Sequence, residues 1–162
     1  MKPRKGLGQA YEIIATLEKL RPKSAKTNLS KAISFALNSI RRKSVIIMIS
    51  DFIDDDYYHN LQSLALKHDL VLIQIADKRE TDLPRLGIIP VLDKESKKTL
   101  WVNTSFGDFR NKLTNTHAER RTALEKFSRK HQINYLNLTT DEDYVPKLLR
   151  LFKVRNKSLK TT

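Results

Sequence analysis

The sequence predicts an α/β fold: a mostly parallel, Rossmann-like sheet flanked by helices. Three observations carry this. Helical and strand-like periods alternate along the chain, two short runs are apolar at nearly every position, and the first of them stops at a carboxylate, Asp51. A strand covered by helices on both faces loses the usual in–out alternation and becomes a continuous apolar run, as Val45-Ile46-Ile47-Met48-Ile49 does. In open α/β sheets, ligands sit beyond the carboxyl ends of such strands. Asp51 stands at such an end, placed either to hold a hard cation or to cap the helix that follows.

The elements follow in order. Ile13, Ile14, Leu17 and Leu20 share one face of a helix over 9–20. A loop, Arg-Pro-Lys-Ser-Ala-Lys, leads to Thr27, and a second amphipathic helix over 28–40 buries Leu29, Ile33, Ala36, Leu37 and Ile40. Thr27 and Asn28 are both suited to cap it. After the strand 45–49, Leu61–Leu66 lies in a third helix and Leu70–Ala76 forms a second buried strand. Residues 88–92 and 99–103 flank Asp93–Lys98 as an inserted β-hairpin, with Pro90 marking an edge strand. A long helix over 106–132, a third parallel strand over 133–138 and a last helix over 144–153 complete the alternation, with Pro146 tolerated in the first turn of that helix.

Composition bounds the class. With 162 residues, 40% hydrophobic and 30% charged, the chain is long enough for one domain with a real core. No apolar run approaches the roughly 20 residues that span a bilayer, and no signal peptide is evident, so a cytoplasmic location is expected. The absence of Cys rules out disulfides, thiolate catalysis and cysteine-ligated zinc. The formal charge of +13 sits at the ends: residues 1–31 carry eight Lys/Arg and two acids, and residues 147–162 carry six and none. The stretch between them balances seventeen bases against sixteen acids. A single domain over 1–152 with a basic tail over 153–162 is expected, the tail packing against nothing.

The stretch Lys-Thr-Asn-Leu-Ser-Lys-Ala-Ile (26–33), followed by Val-Ile-Ile-Met-Ile-Ser-Asp-Phe (45–52), resembles the second half of a von Willebrand factor A-like domain. A bacterial family called domain of unknown function fifty-eight is a closer match over nearly the whole chain. Its points of resemblance are Pro-Arg-Lys-Gly (3–6), Ser-Asp-Phe-Ile-Asp (50–54), Lys-His-Asp-Leu-Val (67–71), Leu-Trp-Val-Asn-Thr (100–104) and Thr-Thr-Asp-Glu-Asp (139–143). The resemblance implies a metal-ion-dependent adhesion site in which Thr27 supplies the second loop and Asp51 the third. It also implies Mg²⁺ or Mn²⁺ in the complete protein, and a MoxR-type AAA+ ATPase as partner.

The Asp-x-Ser-x-Ser of the first loop is missing, and Phe52 stands where that pattern has Gly. The site is therefore expected to be incomplete, with no metal held by this chain alone. The chain is expected to be the C-terminal portion of a larger protein that lacks the first strands of the fold. Without them Val45–Ile49 becomes an exposed apolar edge, a route to self-association.

Other features suggest less. Asp54-Asp55-Asp56 fit the first turn of the next helix, where acids favour the positive dipole end. His59, His68, His117 and His131 lack metal-ligand spacing and read as surface residues. There is no phosphate loop and no Gly-x-Ser-x-Gly elbow, so a non-enzymatic interaction module is expected. The alternative is nucleic-acid binding through the basic ends, with Arg120-Arg121 and Arg129-Lys130 added. Aromatic content of 7% offers few stacking groups for it, and Tyr57, Tyr58 and Trp101 read as packing or hairpin residues.

Overall fold

Strand β2 (Asp69–Ala76) is the centre of a three-stranded parallel sheet, flanked by β1 (Val45–Ser50) and β5 (Asn134–Thr139). This computed structural model describes residues 4–21, 27–78, 86–92, 99–105 and 107–158. The described residues form five helices: α1 (Leu7–Lys19), α2 (Leu29–Ser39), α3 (Tyr58–Lys67), α4 (Gly107–Lys130) and α5 (Val145–Ser158). The expected hairpin is present as β3 (Ile88–Leu92) and β4 (Thr99–Asn103), pairing antiparallel with Pro90 opposite Trp101. Its turn, Asp93–Lys98, and the loop residues 22–26 lie outside the described residues. The fold is thus α/β and Rossmann-like, as the alternation predicts.

The two sheet faces are covered unequally. Strand-paired residues share a face, so Ile46 and Met48 lie with Leu70, Leu72 and Tyr135. That face packs against Leu29 and Ile33 of α2, Leu61 and Leu64 of α3 and Leu124 of α4. Burying each such side chain contributes about 1.5–3 kcal/mol. The opposite face carries Val71, Ile73 and Leu138, covered by Leu148 and Leu151 of α5. That cover does not reach β1: Val45, Ile47 and Ile49 remain 57%, 46% and 61% exposed. Among the described residues Val45–Ile49 is therefore an edge strand with one bare apolar face, and not a strand covered on both sides.

Several local expectations are corrected. Helix α1 forms, but none of its residues is buried, so its apolar stripe of Ile13, Ile14 and Leu17 meets solvent. Of the two cap candidates, Asn28 caps α2: its Oδ1 accepts the Lys31 N–H at 2.7 Å. The last helix does not stop near Lys153. It continues to Ser158 because Arg155 reaches back from it to pair with Asp69 at the start of β2, and Arg155 is buried. The basic tail was expected to pack against nothing from residue 153 onward, which fails at this side chain; residues 159–162 lie outside the described ones.

His68 is also buried, wedged between α3 and β2, while His117 and His131 are half-buried; of the four, only His59 is a freely exposed surface residue. The tyrosines pack as expected. Tyr57 is 2% exposed and stacks on Tyr58 at 4.7 Å, which meets Phe127 edge-on.

Candidate functional site

The loop that follows β1 is braced from within. Ser50 Oγ accepts the Phe52 N–H at 3.1 Å and donates to Asp51 Oδ1 at 3.2 Å. The same carboxylate oxygen accepts the Ile53 N–H at 3.2 Å, closing an Asx turn. Asp51 therefore shapes its own loop and caps no helix. Phe52 has φ 56°, the left-handed conformation that favours Gly, yet its ring is 3% exposed and lies 6.1 Å from Tyr57. The backbone strain, roughly 1–2 kcal/mol, is offset by burial of the ring. That is the physical reason a Phe can stand at this position.

The acidic run beyond it does not enter a helix. Asp56 also takes a positive φ, and α3 begins only at Tyr58 with no acid in its first turn. Asp54 instead turns toward α2, where its Oδ2 accepts the Leu29 N–H at 2.6 Å. Its Oδ1 accepts the Asp55 N–H at 2.9 Å. The start of α2 therefore has two caps, one from Asn28 within the segment and one from a loop 25 residues later. The link places the stretch holding Thr27 beside the loop holding Asp51, and both side chains are exposed.

A second layer supports the loop from below. Gln74, inside the otherwise apolar run 70–76 of β2, donates from Nε2 to the Asp51 carbonyl at 3.1 Å and accepts from the Tyr135 hydroxyl at 2.6 Å. Burial, with a further push from Glu125, raises Tyr135 to about 12, so its hydroxyl stays protonated and donates. Burial pushes Tyr57 up further still. Gln74 and Tyr135 were not singled out from the sequence; a lone Gln inside a run of Leu, Val and Ile was the available signal. Between the loop and α4 lies a groove of about 510 Å³ walled by Asp54, Asp55, Asp56 and Glu119, with Arg120 4.0 Å from Asp55.

As a cation site the arrangement is short of ligands. Thr27 and Asp51 offer two oxygen donors, while Mg²⁺ asks for an octahedral shell, and both Asp54 oxygens already accept backbone N–H groups. Among the described residues no group of three or more His, Asp or Glu side chains is placed to hold a metal. Thr27 and Asp51 by themselves would leave that shell incomplete.

A helix-flanked parallel sheet with a braced, exposed loop at the carboxyl end of β1 defines an α/β, Rossmann-like domain. The sequence model of the family described as "Protein of unknown function DUF58" matches residues 1–123, and the chain belongs to that family. An uncharacterized protein of Mycobacterium avium is 26% identical over 137 residues, covering 84% of this chain and 80% of that protein. Uncharacterized proteins of Mycobacterium bovis and Mycobacterium tuberculosis are 25% identical over 145 residues, covering 89% of this chain but only 45% of theirs. The chain thus spans less than half the length of these longer relatives. No solved structure gives a significant match.

Proposed function

We propose that the domain is a non-enzymatic interaction module that docks a protein partner on the surface formed by the loop 51–57 and the start of α2. The observation that carries this reading is the Asp54–Leu29 hydrogen bond, which ties the loop after β1 to the start of α2, two residues from Thr27; Thr27 and Asp51 are each exposed. A braced, exposed loop on a rigid sheet is the usual setting for recognition. The resemblance to von Willebrand factor A-like domains supports the same surface and suggests a MoxR-type AAA+ ATPase as partner. Any Mg²⁺ or Mn²⁺ there draws its remaining ligands from outside the described residues. The bare faces of α1 and β1 are a second adhesive surface, through which the chain self-associates. No helix among the described residues is long and apolar enough to cross a membrane.

Less favours nucleic-acid binding. Arg129 is paired with Glu125, Arg120 approaches Asp55, and Arg155 is buried against Asp69.

The test is co-sedimentation of the chain with a purified MoxR-type ATPase, with Mg²⁺ or with a chelator. Binding weakened by Asp51→Ala while the melting temperature holds supports the reading. Binding indifferent to Asp51→Ala and to Thr27→Ala overturns the strand-end surface as the dock. For self-association, Ile47→Lys on the bare face of β1 is expected to turn a concentration-dependent sedimentation profile into that of a monomer.

A further inference from the structure

The α4-facing side of the sheet changes character along its length. Toward the amino ends of the strands it is apolar, with Leu70, Leu72 and Tyr135 in the main core. Toward the carboxyl ends it becomes Gln74, Ala76, Asn137 and Thr139, with Gln74 registered directly opposite Asn137. Helix α4 makes the matching change. Thr114, His117, Ala118 and Arg121 follow the i, i+3, i+4, i+7 spacing of a single stripe, which continues into the buried Leu124 and Ser128. A helix selected for packing alone would keep that stripe apolar against the sheet. Here its amino-terminal half and the sheet beneath it are polar together.

Between them lies a cleft of about 230 Å³ lined by these residues. Its floor is rigid, because Gln74 is 8% exposed and fixed by Tyr135 and the Asp51 carbonyl. Asn137 Oδ1 is buried and has no hydrogen-bond partner among the described residues, a state that ordinarily costs free energy. Arg121 and His117 bring a guanidinium and an imidazole to the same cleft. The cleft lies over the carboxyl-terminal halves of β2 and β5, next to the strand ends where open α/β sheets bind ligands.

We propose that the cleft between α4 and the carboxyl ends of β2 and β5 binds a small organic anion that also carries a hydroxyl group. The anionic group meets Arg121, whose planar fork matches a carboxylate or phosphate, with His117 as a second donor. A turn of the partly exposed Asn137 side chain brings its buried Oδ1 to the cleft, where it accepts from the ligand hydroxyl and gains the partner that the fold leaves out. The volume lies below the roughly 300 Å³ where drug-sized pockets begin, so the ligand is a compact acid and not a nucleotide. Gln74 links this site to the Asp51 backbone, but its ligand-facing groups are on α4 and β5 and it does not rest on the docking proposal.

The experiment is calorimetric titration of the whole chain, at physiological salt, with malate and 3-phosphoglycerate, and with succinate as the hydroxyl-free control. Saturable binding of malate or 3-phosphoglycerate is expected, with succinate weaker than malate. Exposed Arg121 makes Arg121→Gln a variant that should fold, and it is expected to weaken binding about tenfold or more. Asn137→Leu is expected to bring malate down to the level of succinate, and Arg129→Gln, further along α4, to change nothing. Absence of saturable binding by malate and 3-phosphoglycerate up to about 10 mM, where affinities are already very weak, overturns the proposal. Equal losses in Arg121→Gln and Arg129→Gln also overturn it, since they assign the signal to general surface charge.

Discussion

Asp54 caps a helix that precedes it by 25 residues: its Oδ2 accepts the Leu29 N–H at 2.6 Å, joining the loop after β1 to the start of α2. Because the donor is an otherwise orphaned helix-terminal N–H and the acceptor a charged carboxylate, the bond contributes both a cap and favourable dipole interaction. Asp54→Ala is expected to destabilise the domain by about 1–2 kcal/mol, read as a lower urea midpoint with unchanged slope. Asn28→Ala, which removes the exposed cap at the same helix end, is expected to cost less.

Arg155 and Asp69 tie the far end of α5 to the beginning of β2. The Arg155 side chain is 8% exposed and that of Asp69 32%, so truncating either leaves the other charge partly desolvated. Arg155→Ala is expected to cost about 2–3 kcal/mol, below the 3–5 of a fully buried pair because Asp69 retains contact with water. A double-mutant cycle with Asp69→Asn checks it: the second substitution should cost little once the first is present.

His68 is 3% exposed, and neither ring nitrogen has a hydrogen-bond partner among the described residues. Replacing an unsatisfied buried polar group by an apolar one of similar size removes a desolvation cost. His68→Leu is expected to leave stability unchanged or raise it by about 1 kcal/mol, whereas His68→Ala opens a cavity and lowers it. Paired thermal melts separate the two effects; a large loss in His68→Leu would mean that the imidazole has a partner in solution.

Glu142 sits at the turn from β5 into α5. The Lys147 ammonium, then the Thr139 N–H, hold its carboxyl below the usual carboxylate range. A carboxyl lowered on folding binds fewer protons in the native state than in the unfolded one. Its contribution is therefore complete above the ordinary Glu value and is lost as the pH falls through the lower, folded one. The protection factors of amides around Glu142 and the start of α5, taken relative to the intrinsic rate at each pH, are expected to fall in acid in the wild type. Glu142→Gln should show the lower protection already at neutral pH, with a flatter acid dependence.

Much of the fold was legible because it depends on local periods. The apolar runs at 45–49 and 70–76, the helical stripe at Leu29 and Ile33 and the hairpin around Pro90 and Trp101 each carry their own pattern. The misplacements share one cause. Asp54, Arg155 and Gln74 take their roles from partners distant in sequence, and His68 is buried by packing no local window shows, so an acidic run looked like a helix start and a basic run looked like a free tail. Asp51 was visible at a strand end, but its hydrogen bond to Ile53 needed the loop to be closed.

By itself the sequence determined that this is an α/β chain with a parallel sheet, a carboxylate at the end of its first strand and an apolar edge at Val45–Ile49. These are properties of periodicity, which a single segment expresses without its neighbours. Only the tertiary structure decided that Asp54 serves α2, that α1 is left uncovered, and that Gln74 and Asn137 meet the polar half of α4 in one cleft. Hydrogen bonds and burial between remote segments depend on chain topology, and no local window of sequence contains both partners.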